Sequence, residues 1–201
     1  MNLPNKLTVS RLVLTAVFLV AMFWPFPHHK TAALILFLLA GITDFLDGTI
    51  ARRRKLITTF GILMDPLADK ILTCSAFIAF VGHDVIGRTY VQAWMVVIIV
   101  GRELAITGLR LLAANKNVVL AAEGYGKHKT ASQIVCVIAV LILLSYPEWG
   151  SVGKALFGFP VLGRPWVEDF TWLSAWVTVG LTFISGWLYL WRNRQLYLSD
   201  M

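Results

Sequence analysis

Residues 44–69 read DFLDGTIARRRKLITTFGILMDPLAD. Four of the chain's 11 acidic residues, Asp44, Asp47, Asp65 and Asp69, fall in this one stretch. It lies between two uncharged runs, 31–43 and 71–82. Each run is too short to cross a bilayer, which takes ~20 apolar residues of helix. Each reaches that length only if its helix also carries the neighbouring charges: Asp44 and Asp47 on the first, Asp69 and Lys70 on the second. A third short run, 89–101, needs Arg102, Glu103 and Arg110 in the same way. The charged residues are therefore expected inside helices.

Outward from there, three further uncharged runs, 12–29, 131–147 and 170–191, are long enough or nearly so to span unaided. The pattern predicts an all-α integral membrane protein with six transmembrane helices near 6–24, 31–52, 66–82, 90–113, 129–147 and 169–191. Residues 1–10 are expected as a short interfacial segment, and 1–201 as one domain. Asp65-Pro66 reads as the start of the third helix, a carboxylate cap followed by a proline that needs no N–H. Composition agrees. Fifty-eight per cent of the residues are hydrophobic, 14% are charged and the mean hydropathy is +0.72. A soluble domain of this size has too much surface for that, and disorder and a disulfide scaffold are excluded too. Cys74 and Cys136 lie in apolar segments and read as small buried hydrophobes. Lys6 and Arg11 ahead of an apolar run could open a signal peptide, but Met22-Phe23-Trp24-Pro25 offers no small-residue cleavage site.

The net charge of +7 could indicate nucleic acid, but loop asymmetry explains it. With the N-terminus inside, Lys6, Arg11, Arg52, Arg53, Arg54, Lys55, Arg110, Lys116, Lys127, Lys129, Arg192 and Arg194 fall on the cytoplasmic side. Only Lys30, Arg88, Lys154 and Arg164 fall outside. Both termini and the aspartates are expected at the cytoplasmic face, and no nucleic-acid partner is expected. Trp24, Trp149, Trp166 and Trp191 read as an aromatic belt at the span ends.

At 100° per residue, Asp44 and Asp47 lie 60° apart on one helix, and Asp65 and Asp69 lie 40° apart on the next. The short linker makes the helices neighbours, so the four carboxylates can converge. Converging carboxylates repel unless they are protonated or hold cations. An all-oxygen hard donor set suits two divalent ions, Mg²⁺ or Mn²⁺. Pairing with Arg52–Lys55 would account for one or two of the acids. Gly48 and Ala51 lie close to the face of Asp44, which would let a flat group approach the backbone or two helices pack closely. Arg52 lies one turn beyond, placed to clamp a phosphate.

The string Asp44-x2-Asp47-Gly48-x2-Ala51-Arg52-x8-Gly61-x3-Asp65-x3-Asp69 resembles the signature of the CDP-alcohol phosphotransferase family at every fixed position. The resemblance implies a membrane enzyme that moves a phosphatidyl or substituted phosphate group from a CDP-linked donor to an alcohol, releasing CMP. It implies Asp44, Asp47, Asp65 and Asp69 as metal ligands, with Asp69 also the general base. It implies Gly48, Ala51, Arg52, Thr58, Gly61, Asn5 and Thr8 as contacts of the CDP group. A homodimer is implied only in this way.

The acceptor needs its own cations if it carries a phosphate. Arg102 lies mid-helix, where a charge is functional or structurally paired. Arg110 follows eight residues on, and Glu103 is placed to meet a neighbouring helix. Gly126-Lys127-His128-Lys129-Thr130 opens the fifth helix, either as an anion site at a helix N-terminus or as a positive-inside loop. Leu3-Pro4-Asn5-Lys6-Leu7-Thr8-x2-Arg11, Gly101-Arg102-Glu103 and Gly126-Lys-x-Lys-Thr130 resemble the bacterial branch of the family whose acceptor is sn-glycerol 3-phosphate. By that resemblance the substrates are CDP-diacylglycerol and glycerol 3-phosphate, in the bacterial inner membrane. Arg102, Arg110, Lys127 and Lys129 would hold the acceptor phosphate. The cardiolipin synthase type, with phosphatidylglycerol as acceptor, shares several of these features and stands as the alternative. A divalent cation transporter is the remote one; the acids all at one membrane face speak against it. Residues 148–168 match no pattern, and the four histidines have no base-and-nucleophile context.

Overall fold

The computed structural model describes residues 3–54, 59–84, 87–116, 125–161 and 163–198, with side chains except at 3–7, 44–54, 59–66, 69, 115, 125–127 and 198. The fold is mostly helical. Its long helices are α1 (Leu3–Phe23), α2 (His29–Arg54), α3 (Thr59–Phe80), α4 (Ala93–Asn115) and α5 (Tyr125–Ser145). A 3-10 turn (Tyr146–Trp149) and the short α6 (Gly150–Phe157) follow. Next come a two-residue antiparallel hairpin (β1 Pro160–Val161, β2 Arg164–Pro165), α7 (Trp166–Arg192) and the short α8 (Gln195–Leu198).

α1 packs on α2 and α3, while α5 touches α2, α3 and α7 and so sits at the centre; α4 closes the bundle against α3 and α7. The interior is small and aromatic. Ala33, Ala40, Ala76 and Cys136 are fully buried beside Phe18, Phe37 and Phe77, which lets helix backbones approach closely. Cys136 is buried, as expected, while Cys74 is only half-buried. α7 fastens to α5 through hydroxyls: Thr171 Oγ1 donates to Ala139 O at 3.3 Å and Thr178 Oγ1 to Ser132 O at 2.9 Å. The outward faces stay apolar, with Val13, Val20, Ile42, Val97, Trp172 and Phe183 all exposed. Among the described residues, Trp166–Arg192 and the stretch His128–Phe157 are long and apolar enough to cross a membrane.

Three sequence expectations need correction. Residues 3–10 are not a separate segment, because α1 runs unbroken from Leu3. Pro4 falls in its first turn, where a missing N–H removes no helix bond. α3 starts at Thr59, not at Asp65-Pro66, so Phe60, Ile62, Leu63 and Met64 carry the helix back past the proline. α5 starts at Tyr125, four residues earlier than expected. Arg11, assigned to the cytoplasmic side, is buried on α1 between buried Thr8 and Thr15.

The stretch 148–168 proves to be a lid on the end of the bundle. Glu148 accepts from the backbone N–H of Lys30 (3.1 Å) and Thr31 (2.9 Å) and from the Thr31 hydroxyl (2.6 Å), capping α2 from 118 residues away. Trp149 Nε1 donates to Thr31 Oγ1 at 2.9 Å and Trp166 Nε1 to Leu156 O at 2.9 Å, so two of the expected belt tryptophans have partners within the protein. α6 folds back so tightly that a Cβ at Gly153 would fall 2.1 Å from the Tyr146 carbonyl oxygen.

Candidate active site

Asp44, Asp47, Gly48, Ala51 and Arg52 occupy the last three turns of α2, and Gly61, Asp65 and Asp69 the first three of α3. Only residues 55–58 separate the end of α2 from the start of α3, and the two helices are in contact. The side chains of the four aspartates and Arg52, and Thr58 as a whole, lie outside the described residues, as does the Asn5 side chain. Thr8, the other N-terminal donor-site candidate, is buried on α1, which packs on α3.

The described part of the site is built along α4. Its helix presents Arg102, Glu103, Thr107 and Arg110 toward α3, α5 and α7. Glu103 is buried and receives the ammonium of buried Lys129 from α5, with Gln133 Nε2 at 3.5 Å. Arg102 Nη1 lies 3.5 Å from the same carboxylate oxygen. Lys70, next to Asp69 on α3, donates to the Thr107 hydroxyl, which in turn donates to the Glu103 carbonyl at 2.7 Å. Arg110 lies over Tyr189 of α7, its guanidinium carbon 5.8 Å from the ring centroid and Nε 3.4 Å from the phenol oxygen.

Among the described residues this layer sets Lys70, Arg102, Arg110 and Lys129 against one carboxylate, Glu103. The aspartate side chains of α2 and α3 stand outside that tally. Arg102 is the clearest sign of room for an anion: its side chain is 15% exposed, and its buried Nε has no hydrogen-bond partner among the described residues. A buried donor of this kind is costly unless something accepts from it. Arg102 also borders a groove of about 280 Å³ between α4 and α7.

The structure sorts the four residues expected to hold the acceptor phosphate. Arg102 and Arg110 stand together on α4. Lys129 is buried and meets Glu103. The side chain of Lys127 lies outside the described residues. Sequence placed Lys70 inside its helix as a necessary charge but gave it no role, although a charge there beside Asp69 carries the same signal as Arg102. Tyr189 and Gly186 were not singled out. Tyr189 and Gly186 look like ordinary members of an apolar helix.

A larger cavity, about 430 Å³, is lined by Arg88, Tyr90, Arg164, Glu168, Asp169 and Trp172. It sits past the far end of α3, a helix ~33 Å long, away from the aspartates. Its Tyr90 hydroxyl donates to Glu168 at 2.8 Å.

Comparison with known proteins bears on this arrangement. The profile of the CDP-alcohol phosphatidyltransferase family matches residues 1–184. The CDP-diacylglycerol–glycerol-3-phosphate 3-phosphatidyltransferase of Bacillus subtilis is 39% identical over 96% of this chain and 95% of its own length. The protein of the same name from Rickettsia felis is 32% identical over 94% and 93%. A probable phosphatidylglycerophosphate synthase of Mycobacterium tuberculosis is 41% identical over 73% of this chain and 68% of its own.

Proposed function

We propose that this chain, which belongs to the CDP-alcohol phosphatidyltransferase family, transfers the phosphatidyl group of CDP-diacylglycerol to sn-glycerol 3-phosphate, giving phosphatidylglycerophosphate and CMP in phosphatidylglycerol synthesis. What supports this reading is the run of four aspartates over the last turns of α2 and the first turns of α3, with Arg102 and Arg110 on α4, the helix that packs on α3. The acceptor follows from the relatives' names and from the unpartnered Nε of Arg102.

The donor set fits two divalent cations. Four carboxylates on neighbouring helix ends are hard oxygen ligands suited to Mg²⁺ or Mn²⁺. Asp44, Asp47, Asp65 and Asp69 would hold them, and the bound ions would neutralise charge on the donor's pyrophosphate. The rest of the work falls to the chain. Gly48, Ala51 and Gly61 leave backbone open to the CDP group; Arg52, Thr58, Asn5 and Thr8 hold it. Arg102 and Arg110, with Lys127 at the start of α5, bind the acceptor's phosphate, while Lys129 holds Glu103 in place. Asp69 accepts the proton of the acceptor hydroxyl. The hydroxyl oxygen then bonds to the phosphatidyl phosphorus, and the bond from that phosphorus to the oxygen of CMP breaks.

The six apolar stretches are read as six membrane spans with both termini and the aspartates on the cytoplasmic side of the inner membrane. The apolar outward faces of α1, α2, α4 and α7 support this reading. The working unit is proposed to be a homodimer in membrane lipid.

The test is CMP release by purified protein in detergent with CDP-diacylglycerol and Mg²⁺ or Mn²⁺. Release should begin on adding glycerol 3-phosphate. Release only on adding phosphatidylglycerol would overturn the acceptor and keep the chemistry. Metal uptake into proteoliposomes without CMP release would overturn both.

A further inference from the structure

We propose that α7 positions the two arginines of α4: Gly186 leaves the path that Arg102 follows, and Tyr189 turns Arg110. This rests on the reading that these arginines hold the acceptor's phosphate. Both α7 residues lie beyond the 1–184 region matched by the family profile.

The contact at Gly186 is specific. A Cβ there would fall 2.8 Å from Cγ of Arg102, 3.7 Å from its Cβ and 4.0 Å from its Cδ. The Cγ is at the root of the side chain, so it cannot swing clear as a flexible end can. An alanine would force a different χ1 at Arg102 or push α7 off α4. Hydrogen bonding does not fix Arg102 in place of packing. Its buried Nε has no partner among the described residues, and Glu103 is 3.5 Å from Nη1. The α7 backbone is thus the wall that decides where this guanidinium goes.

Three residues on, Tyr189 shares the same face of α7. It is buried, and it meets Arg110 with both its ring and its hydroxyl. The pairings keep the same order on two helices in contact, Arg102 with Gly186 and Arg110 with Tyr189, but eight residues of α4 answer three of α7, so the long Arg110 side chain spans the difference to reach Tyr189. One helix therefore sets both the direction and the separation of the two cations. Geometry of that kind selects a small phosphate-bearing acceptor by orientation, not by charge alone.

The experiment uses the full-length enzyme in mixed micelles, with initial rates measured against both substrates for Gly186→Ala, Tyr189→Phe, Arg102→Ala and the Arg102→Ala/Gly186→Ala pair. The acceptor KM should rise roughly tenfold in Gly186→Ala and severalfold in Tyr189→Phe, with the donor KM held within about twofold. In the Arg102→Ala background, adding Gly186→Ala should change nothing further, since its effect passes through that arginine. If Gly186→Ala acts as strongly without Arg102 as with it, the glycine serves only helix packing and the proposal falls. If Gly186→Ala does not fold, Tyr189→Phe decides: an unchanged acceptor KM overturns the proposal. If Arg102→Ala itself leaves the acceptor KM unchanged, the underlying reading fails, a result distinct from the others.

Discussion

At the scale of single residues, Asp69 has the most demanding proposed role, since it both binds cation and takes a proton. Asparagine keeps its shape and removes its basicity. Asp69→Asn, assayed at saturating divalent cation, should lower turnover by about 10²–10⁴-fold, while binding of CDP-diacylglycerol to the purified variant largely survives. Near-normal turnover would remove Asp69 as the base. The neighbouring residues show how far a sequence carries. Arg102 and Glu103 were legible because a charge inside an apolar run is expensive. The partner of Glu103 was not, because Lys129 is 26 residues away on another helix and nothing local marks the pair. Gly186 was invisible for a related reason: a small residue in an apolar helix gains meaning only from what lies opposite it.

At the scale of elements, the long helices were legible from runs of apolar residues, and their ends were less so. α3 passes through Asp65-Pro66, a good start signal on local grounds, because the apolar residues before it extend the helix. The residues from 148 to 168 were unreadable since their purpose is tertiary: Glu148 caps α2 across 118 residues. This cap has a measurable consequence. Glu148→Ala should lower stability by about 0.5–2 kcal/mol, the usual cost of removing a helix cap, seen as a lower melting temperature in detergent. Turnover per folded molecule should stay unchanged, because Glu148 lies at the end of α2 opposite the aspartates. An unaltered melting temperature would mean that water replaces the carboxylate without loss.

At the scale of the molecule, charge scarcity and charge placement are one fact. The chain is 14% charged, and two of its buried charges, Glu103 and Lys129, meet beside Arg102 of α4. Outside, apolar side chains face the surroundings; inside, small residues let the helices close on a cation-rich layer. The assembly reads as a way to bring a lipid-borne donor and a water-soluble phosphate ester to one membrane face. The most direct measurement follows radiolabelled glycerol 3-phosphate into lipid. Purified protein, CDP-diacylglycerol and Mg²⁺ or Mn²⁺ should convert the label into a chloroform-extractable phosphatidylglycerophosphate with one CMP released per lipid formed. Chelation of the cation or alanine at Asp44 should stop both. Label that stays in the aqueous phase while wild-type protein is folded and saturated with donor and cation would contradict the account.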